Sequence, residues 1–153
     1  MVQLPSAHRD APALSFRPGH ERRCHTRCAA RGMNHPSSSE HLLSRFVAYR
    51  VAVEAAALVH RVATQWRGAG ALADQARRAA CSVALNLAEG NGHPPGSAVR
   101  RRYQRIALGS ALELEAALDI ATVSALGDAE LLANAREVAG RSAALCAGLC
   151  RRR

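Results

Sequence analysis

From Glu40 to Cys150 apolar residues recur at helical spacing, with interruptions at Gly68-Ala-Gly70, at Gly90-Asn-Gly-His-Pro-Pro-Gly96 and at Gly127. Glycine and proline stop helices, so these breaks predict four helical segments. In the first, Phe46, Tyr49, Val53, Ala56 and Ala63 form one row, and Ala52, Ala55, Val59, Val62 and Trp66 form a second beside it. Together the rows span an arc of about 200°, wider than one bundle seam needs, which leaves room for a second surface buried against another chain. The second segment, residues 71–89, places Leu72, Ala76, Ala79, Val83 and Asn86 at heptad spacing, with Ala80 and Leu87 alongside. Small residues there permit close helix approach. The third, capped by Ser97, carries the longest unbroken alternation of the chain: Tyr103, Ala107, Ser110, Leu114, Ala117, Ala121 and Ser124. Asp128 can cap the fourth, with Glu130 in its first turn and a stripe of Leu132, Ala135, Ala139, Ser142, Cys146 and Leu149. Four helices with short connections predict an all-α fold, an antiparallel up-down four-helix bundle over residues 40–150.

Residues 1–39 show no such stripe. They hold four of the six prolines, four of the seven histidines and six arginines, a composition that predicts a disordered leader. Met33 precedes the change in composition and is a candidate start of translation. Arg151, Arg152 and Arg153 form a basic tail. The first 20 residues lack the apolar stretch of a signal peptide, and no apolar run reaches the roughly 18–20 residues that cross a bilayer. Five cysteines make an odd set, which fits reduced thiols better than a disulfide framework. A cytoplasmic protein without membrane contact is expected.

Composition supports the helical reading. Alanine occupies 33 of the 153 positions and all 21 basic residues are arginine, whereas aromatic residues make up 3%. Alanine and arginine favour helices, while strands need β-branched and aromatic residues. The absence of lysine excludes a lysine-dependent P-loop, a Schiff base and a lysine general base.

The second and third helices carry an ordered set of polar and small residues: Leu72, Gln75, Arg78 and Ala79, then Ser82, Asn86, Ala88, Glu89 and Gly90, then Tyr103, Ala107, Gly109, Ser110, Glu113 and Leu114. This set resembles the four-helix-bundle proteins encoded in intervening sequences of 23S ribosomal RNA genes, and their relative, the accessory variability determinant protein of diversity-generating retroelements. The resemblance covers about Phe46 to Leu145, and departs from the family at Cys81 and Ala84, where bulkier aliphatic residues or proline are usual, and in its lysine-free surface. It implies a four-helix bundle assembling as a ring-like homo-oligomer, a pentamer, with no enzymatic activity. In the retroelement relative it also implies nucleic-acid binding and association with a reverse transcriptase.

Asn86 and Ser110 fall on apolar rows and Glu113 lies one turn from Ser110, so a structural polar core is expected, with Arg78 pairing Glu113 and Asn86 bonding Ser110 or the backbone. The alternative, a catalytic carboxylate at Glu89 or Glu113, has no histidine or second carboxylate near it in sequence. Glu89-Gly90 reads as the end of the second helix, with glycine in the left-handed cap position.

Charge is unevenly spread. Residues 61–105 carry eight arginines against Asp74 and Glu89, whereas residues 106–150 carry Arg136 and Arg141 against six acids. Arg77, Arg78, Arg100, Arg101, Arg102 and Arg105 are therefore candidates to hold the phosphates of RNA or DNA, since guanidinium forks match phosphate oxygens. With only Tyr103 near them, binding through the backbone and little sequence preference are expected. A solvated face, or salt links to Glu115, Asp119 and Glu137 of a neighbouring subunit, is the competing reading.

Weaker signals point nowhere further. His20, Cys24, His25 and Cys28 match no standard zinc spacing, and Gly68-Ala-Gly-Ala-Leu-Ala73 mimics a dinucleotide fingerprint without the preceding strand. A nucleophilic pair of Cys81 with His60 or His93 has no flanking motif. No metal, cofactor or catalytic residue is expected. The sequence thus favours a non-catalytic, oligomeric helical bundle binding nucleic acid or a ribonucleoprotein partner through its arginines; the alternative is a structural or protein-interaction module whose arginines serve subunit assembly.

Overall fold

The chain divides into Met1–Ser37 and Ser38–Arg153. The computed structural model describes residues 43–151, so the expected leader, the Met33 start, the zinc-like His20 to Cys28 group and the last two arginines lie outside the described residues. Among those described there are four helices: α1 (Val47–Ala63), α2 (Gly70–Asn91), α3 (Ala98–Val123) and α4 (Ala129–Arg151). The chain is all-α, with no strand among the described residues.

Local chemistry sets several helix ends. The Ser97 hydroxyl accepts a hydrogen bond from the Arg100 backbone N–H at 3.2 Å, and Asp128 Oδ1 accepts from the Leu131 N–H at 2.7 Å. Each satisfies one amide that the first helical turn leaves without a partner. Gly127, at φ +72°, makes the turn into α4 in a conformation that side chains disfavour.

Each helix packs against its two neighbours, α1 on α2 and α4, and α3 on α2 and α4, while the diagonal pairs are not in backbone contact. Apolar residues fill two clusters. One gathers Leu58, Val59, Val62, Trp66, Leu114, Leu118, Leu132 and Val138. The other gathers Val83, Leu87, Ala107, Ala111, Ala143 and Cys146, with Phe46 and Tyr49 packed against it. Alanines at the contacts, among them Ala76, Ala107, Ala121 and Ala135, are wholly buried and let the backbones approach. Removing a fully buried leucine such as Leu114 or Leu118 to alanine costs about 2–5 kcal/mol in cores of this kind.

On α1 the two predicted rows separate. Ala52, Ala55, Val59 and Val62 are buried, and Trp66 is buried just beyond the helix end, whereas Val53 remains 43% exposed and Phe46, Tyr49 and Ala56 are half-buried. The second row is the seam, and the first is its margin except at Ala63, which is buried in the core.

Candidate functional site

The motif residues converge on the seam between α2 and α3. At its centre the Ser82 and Ser110 hydroxyls lie 2.8 Å apart, and Asn86 Nδ2 donates to the Ser82 carbonyl at 2.8 Å and to its hydroxyl at 3.1 Å. Towards the start of α2, Arg78 donates to Gln75 Oε1, and Gln75 Nε2 donates to Glu113. At the far end the Tyr103 hydroxyl donates to Glu89 Oε1 at 2.6 Å. These contacts correct the expected pairs. Arg78 reaches Glu113 only through Gln75, and Asn86 reaches Ser110 only through Ser82. Glu113 is exposed and Asn86 half-buried, because a three-residue step from Ser110 turns Glu113 to the edge of the seam rather than into the core.

The loop after α2 is tied to the start of α3. Arg100 donates to the His93 carbonyl at 3.2 Å and to Asn91 Oδ1 at 3.0 Å, and Arg101 donates to the Gly96 carbonyl. The His93 ring stacks on Tyr103, with centroids 5.5 Å apart and planes 6° from parallel. The hydrogen bond to Glu89 holds the Tyr103 hydroxyl above its ordinary pKa; burial and the Glu89 charge push the same way, and Arg102 opposes them. Gly90 is not a left-handed cap. It lies inside α2 and is buried, and a Cβ placed on it would come within 3.0 Å of Tyr103 Cβ. Close helix approach, rather than a turn, requires glycine there.

The antiparallel topology redistributes charge. The half of the bundle around the second cluster, where α1 starts, α2 meets α3 and α4 closes, carries Arg45, Arg50, Arg100, Arg101, Arg102, Arg105 and Arg151 against Glu89. The other half carries Arg61, Arg67, Arg77, Arg78 and Arg136 against Asp74, Glu113, Glu115, Asp119, Asp128, Glu130 and Glu137. Glu54 and Arg141 lie near the junction. Of the six candidate arginines, Arg100, Arg101, Arg102 and Arg105 share the basic end, while Arg78 sits roughly 14 Å along the bundle axis from the level of Arg105 at 1.5 Å per residue. Arg77 pairs with Asp74 at 3.2 Å. Arg102 and Arg105 make no hydrogen bond or ion pair among the described residues. Sequence reading missed Arg45, Arg50 and Arg151, since only the order of helix ends in space unites them with Arg100 to Arg105.

Elsewhere, Cys81 Sγ lies 3.5 Å from His60 Nε2, whereas His93 is committed to Tyr103. Cys146 is wholly buried, and that burial, with Cys150 nearby, pushes its thiol up to about 11. Among the described residues no three His, Cys, Asp or Glu side chains gather as a metal site, and no helix is long and apolar enough to cross a membrane.

Residues 44–145 match the family model described as 23S rRNA-intervening sequence protein. Among solved structures, the chain is similar to a protein with unknown function from the S23 ribosomal protein family of Bacteroides thetaiotaomicron, with a TM-score of 0.60. The two are 16% identical, and the likeness covers 68% of this chain and 98% of the other, which speaks for the fold alone. No curated protein matches the sequence.

Proposed function

The chain belongs to the 23S rRNA-intervening sequence protein family, and from that premise we propose that it is a non-catalytic, oligomeric accessory protein that grips nucleic-acid backbone phosphates at the arginine-rich end of its bundle. The observation that carries this reading is that, among the described residues, one half of the bundle collects seven arginines against the single carboxylate Glu89. Like charges so gathered raise the local potential, and guanidinium groups such as Arg102 and Arg105, uncommitted among the described residues, can pair phosphate oxygens. Assembly multiplies each weak contact, in a ring-like homo-oligomer that by resemblance is a pentamer. The partner is RNA or DNA, alone or in a ribonucleoprotein, and a reverse transcriptase fills that role if the likeness to the retroelement accessory protein extends to partners. The protein acts in the cytoplasm and needs no cofactor.

The test is binding of RNA and DNA across a salt series, with the wild type and an Arg102→Ala/Arg105→Ala variant. Each phosphate that an arginine neutralises releases condensed counterions and contributes a slope of about −0.7 to −0.9 in log affinity against log salt. A steep slope that the variant flattens supports the reading; affinity indifferent to salt refutes it.

A second reading, a structural module, draws on the outer faces of α2 and α3. There Leu85 is 68% exposed, Leu112 54% and Ile120 52%, apolar surface that a neighbouring subunit would cover. Native mass measurement together with the salt series separates the two: assembly without nucleic-acid binding favours this one.

A further inference from the structure

The ring pair of His93, in the α2–α3 loop, and Tyr103, on α3, is not needed to close the helices, since Ser97 already caps α3 and Arg100 already ties the loop. His93 is nevertheless stacked flat on Tyr103 within the basic end. The residue is half-buried and so keeps some contact with solvent, and its ring nitrogens form no hydrogen bond among the described residues. Arg102, exposed, directly precedes Tyr103 on α3, so its guanidinium springs from the same helical turn as the ring pair. We infer that the basic end takes an unpaired nucleic-acid strand, with one base stacked on the face of His93 turned away from Tyr103 and the adjoining phosphate held by Arg102. This rests on the phosphate-binding reading above and adds the class of strand.

The physical argument is one of fit and preorganisation. In a duplex both faces of each base are covered by neighbours, so a protein ring gains nothing; an unpaired base has a free π-face that any aromatic platform can meet. The platform is already ordered. His93 N–H donates to the Gly90 carbonyl at 3.2 Å, its own carbonyl accepts from Arg100, and two prolines follow it. Little conformational freedom is left to lose on binding. A single ring pair suits one base, so the preference is for strandedness rather than for sequence.

The test uses the full chain and single-stranded oligonucleotides carrying a fluorescent adenine analogue whose emission is quenched by stacking, alongside a duplex of the same sequence. The single strand is expected to bind more tightly at matched salt, with quenching in the wild type and in His93→Phe. His93→Ala should lose the quenching and about five- to hundred-fold in affinity at an unchanged salt slope. If His93→Ala binds the single strand as the wild type does, or the duplex binds equally well, the inference is overturned. In that case loss of binding in Arg102→Ala/Arg105→Ala still upholds the phosphate reading, whereas failure of single strand and duplex alike removes both.

Discussion

Gly90 of α2 and Tyr103 of α3 meet so closely that a Cβ on the glycine would stand 3.0 Å from the tyrosine Cβ. Alanine in a helix interior ordinarily stabilises by about 0.5–1 kcal/mol over glycine, but here the helices must part or Tyr103 must move, at about 1–3 kcal/mol. Gly90→Ala is therefore expected to destabilise. Gly109→Ala, at an exposed site with nothing within 4 Å, is expected to stabilise. Urea unfolding of the two variants checks the opposition, and equal signs would contradict it.

The hydroxyl pair Ser82–Ser110 behaves as a unit. Ser82→Ala leaves the buried Ser110 hydroxyl without its partner and the Asn86 amide with only the Ser82 carbonyl, for about 1–2 kcal/mol, whereas Ser82→Ala/Ser110→Ala removes the orphaned Ser110 hydroxyl and costs less than the summed single changes. A double-mutant cycle measures this. Strict additivity would mean that the contact carries no net energy.

The arginines at the start of α3 divide by task. Arg100→Ala breaks two hydrogen bonds that hold the loop and should lower stability by about 1–3 kcal/mol. Arg102→Ala/Arg105→Ala should stay within about 0.5 kcal/mol of wild type, as exposed surface changes do. Thermal melts at one salt concentration compare them.

Cys146 makes stability fall in alkali. Its folded value, about 11, lies above the ordinary thiol value near 9, so the unfolded chain gives up the proton first. The contribution is complete below about pH 9 and is lost as pH rises towards 11, by roughly 2–3 kcal/mol at most. Wild type should therefore lose more stability than Cys146→Ala between about pH 8 and pH 10. Alkylation mapped by mass spectrometry should find half-buried Cys81, beside His60, modified before Cys146 in the folded chain.

Features that depend on a few neighbouring residues were open to reading. The 26 residues of α3 repeat their apolar stripe so regularly that packing direction follows from spacing, and Ser97 and Asp128 cap because a short polar side chain needs only the amides three residues on. The Arg78–Glu113 and Asn86–Ser110 pairs came out one residue removed. Each partner was placed on the right helix, but Gln75 and Ser82 stand between them, and a rotation of one position along a seam decides which side chains touch.

What the amino-acid order determined by itself is the set of helices, the buried stripe on each and the all-α class, since periodicity and capping act within a few residues. Only the tertiary structure decided that Gly90 serves packing rather than a turn, that Arg45, Arg50 and Arg151 join Arg100 to Arg105 at one end while Arg77 and Arg78 do not, and that His93 lies flat on Tyr103. Those relations arise between segments far apart in the chain, where distance is set by how the helices pack and not by their spacing along it.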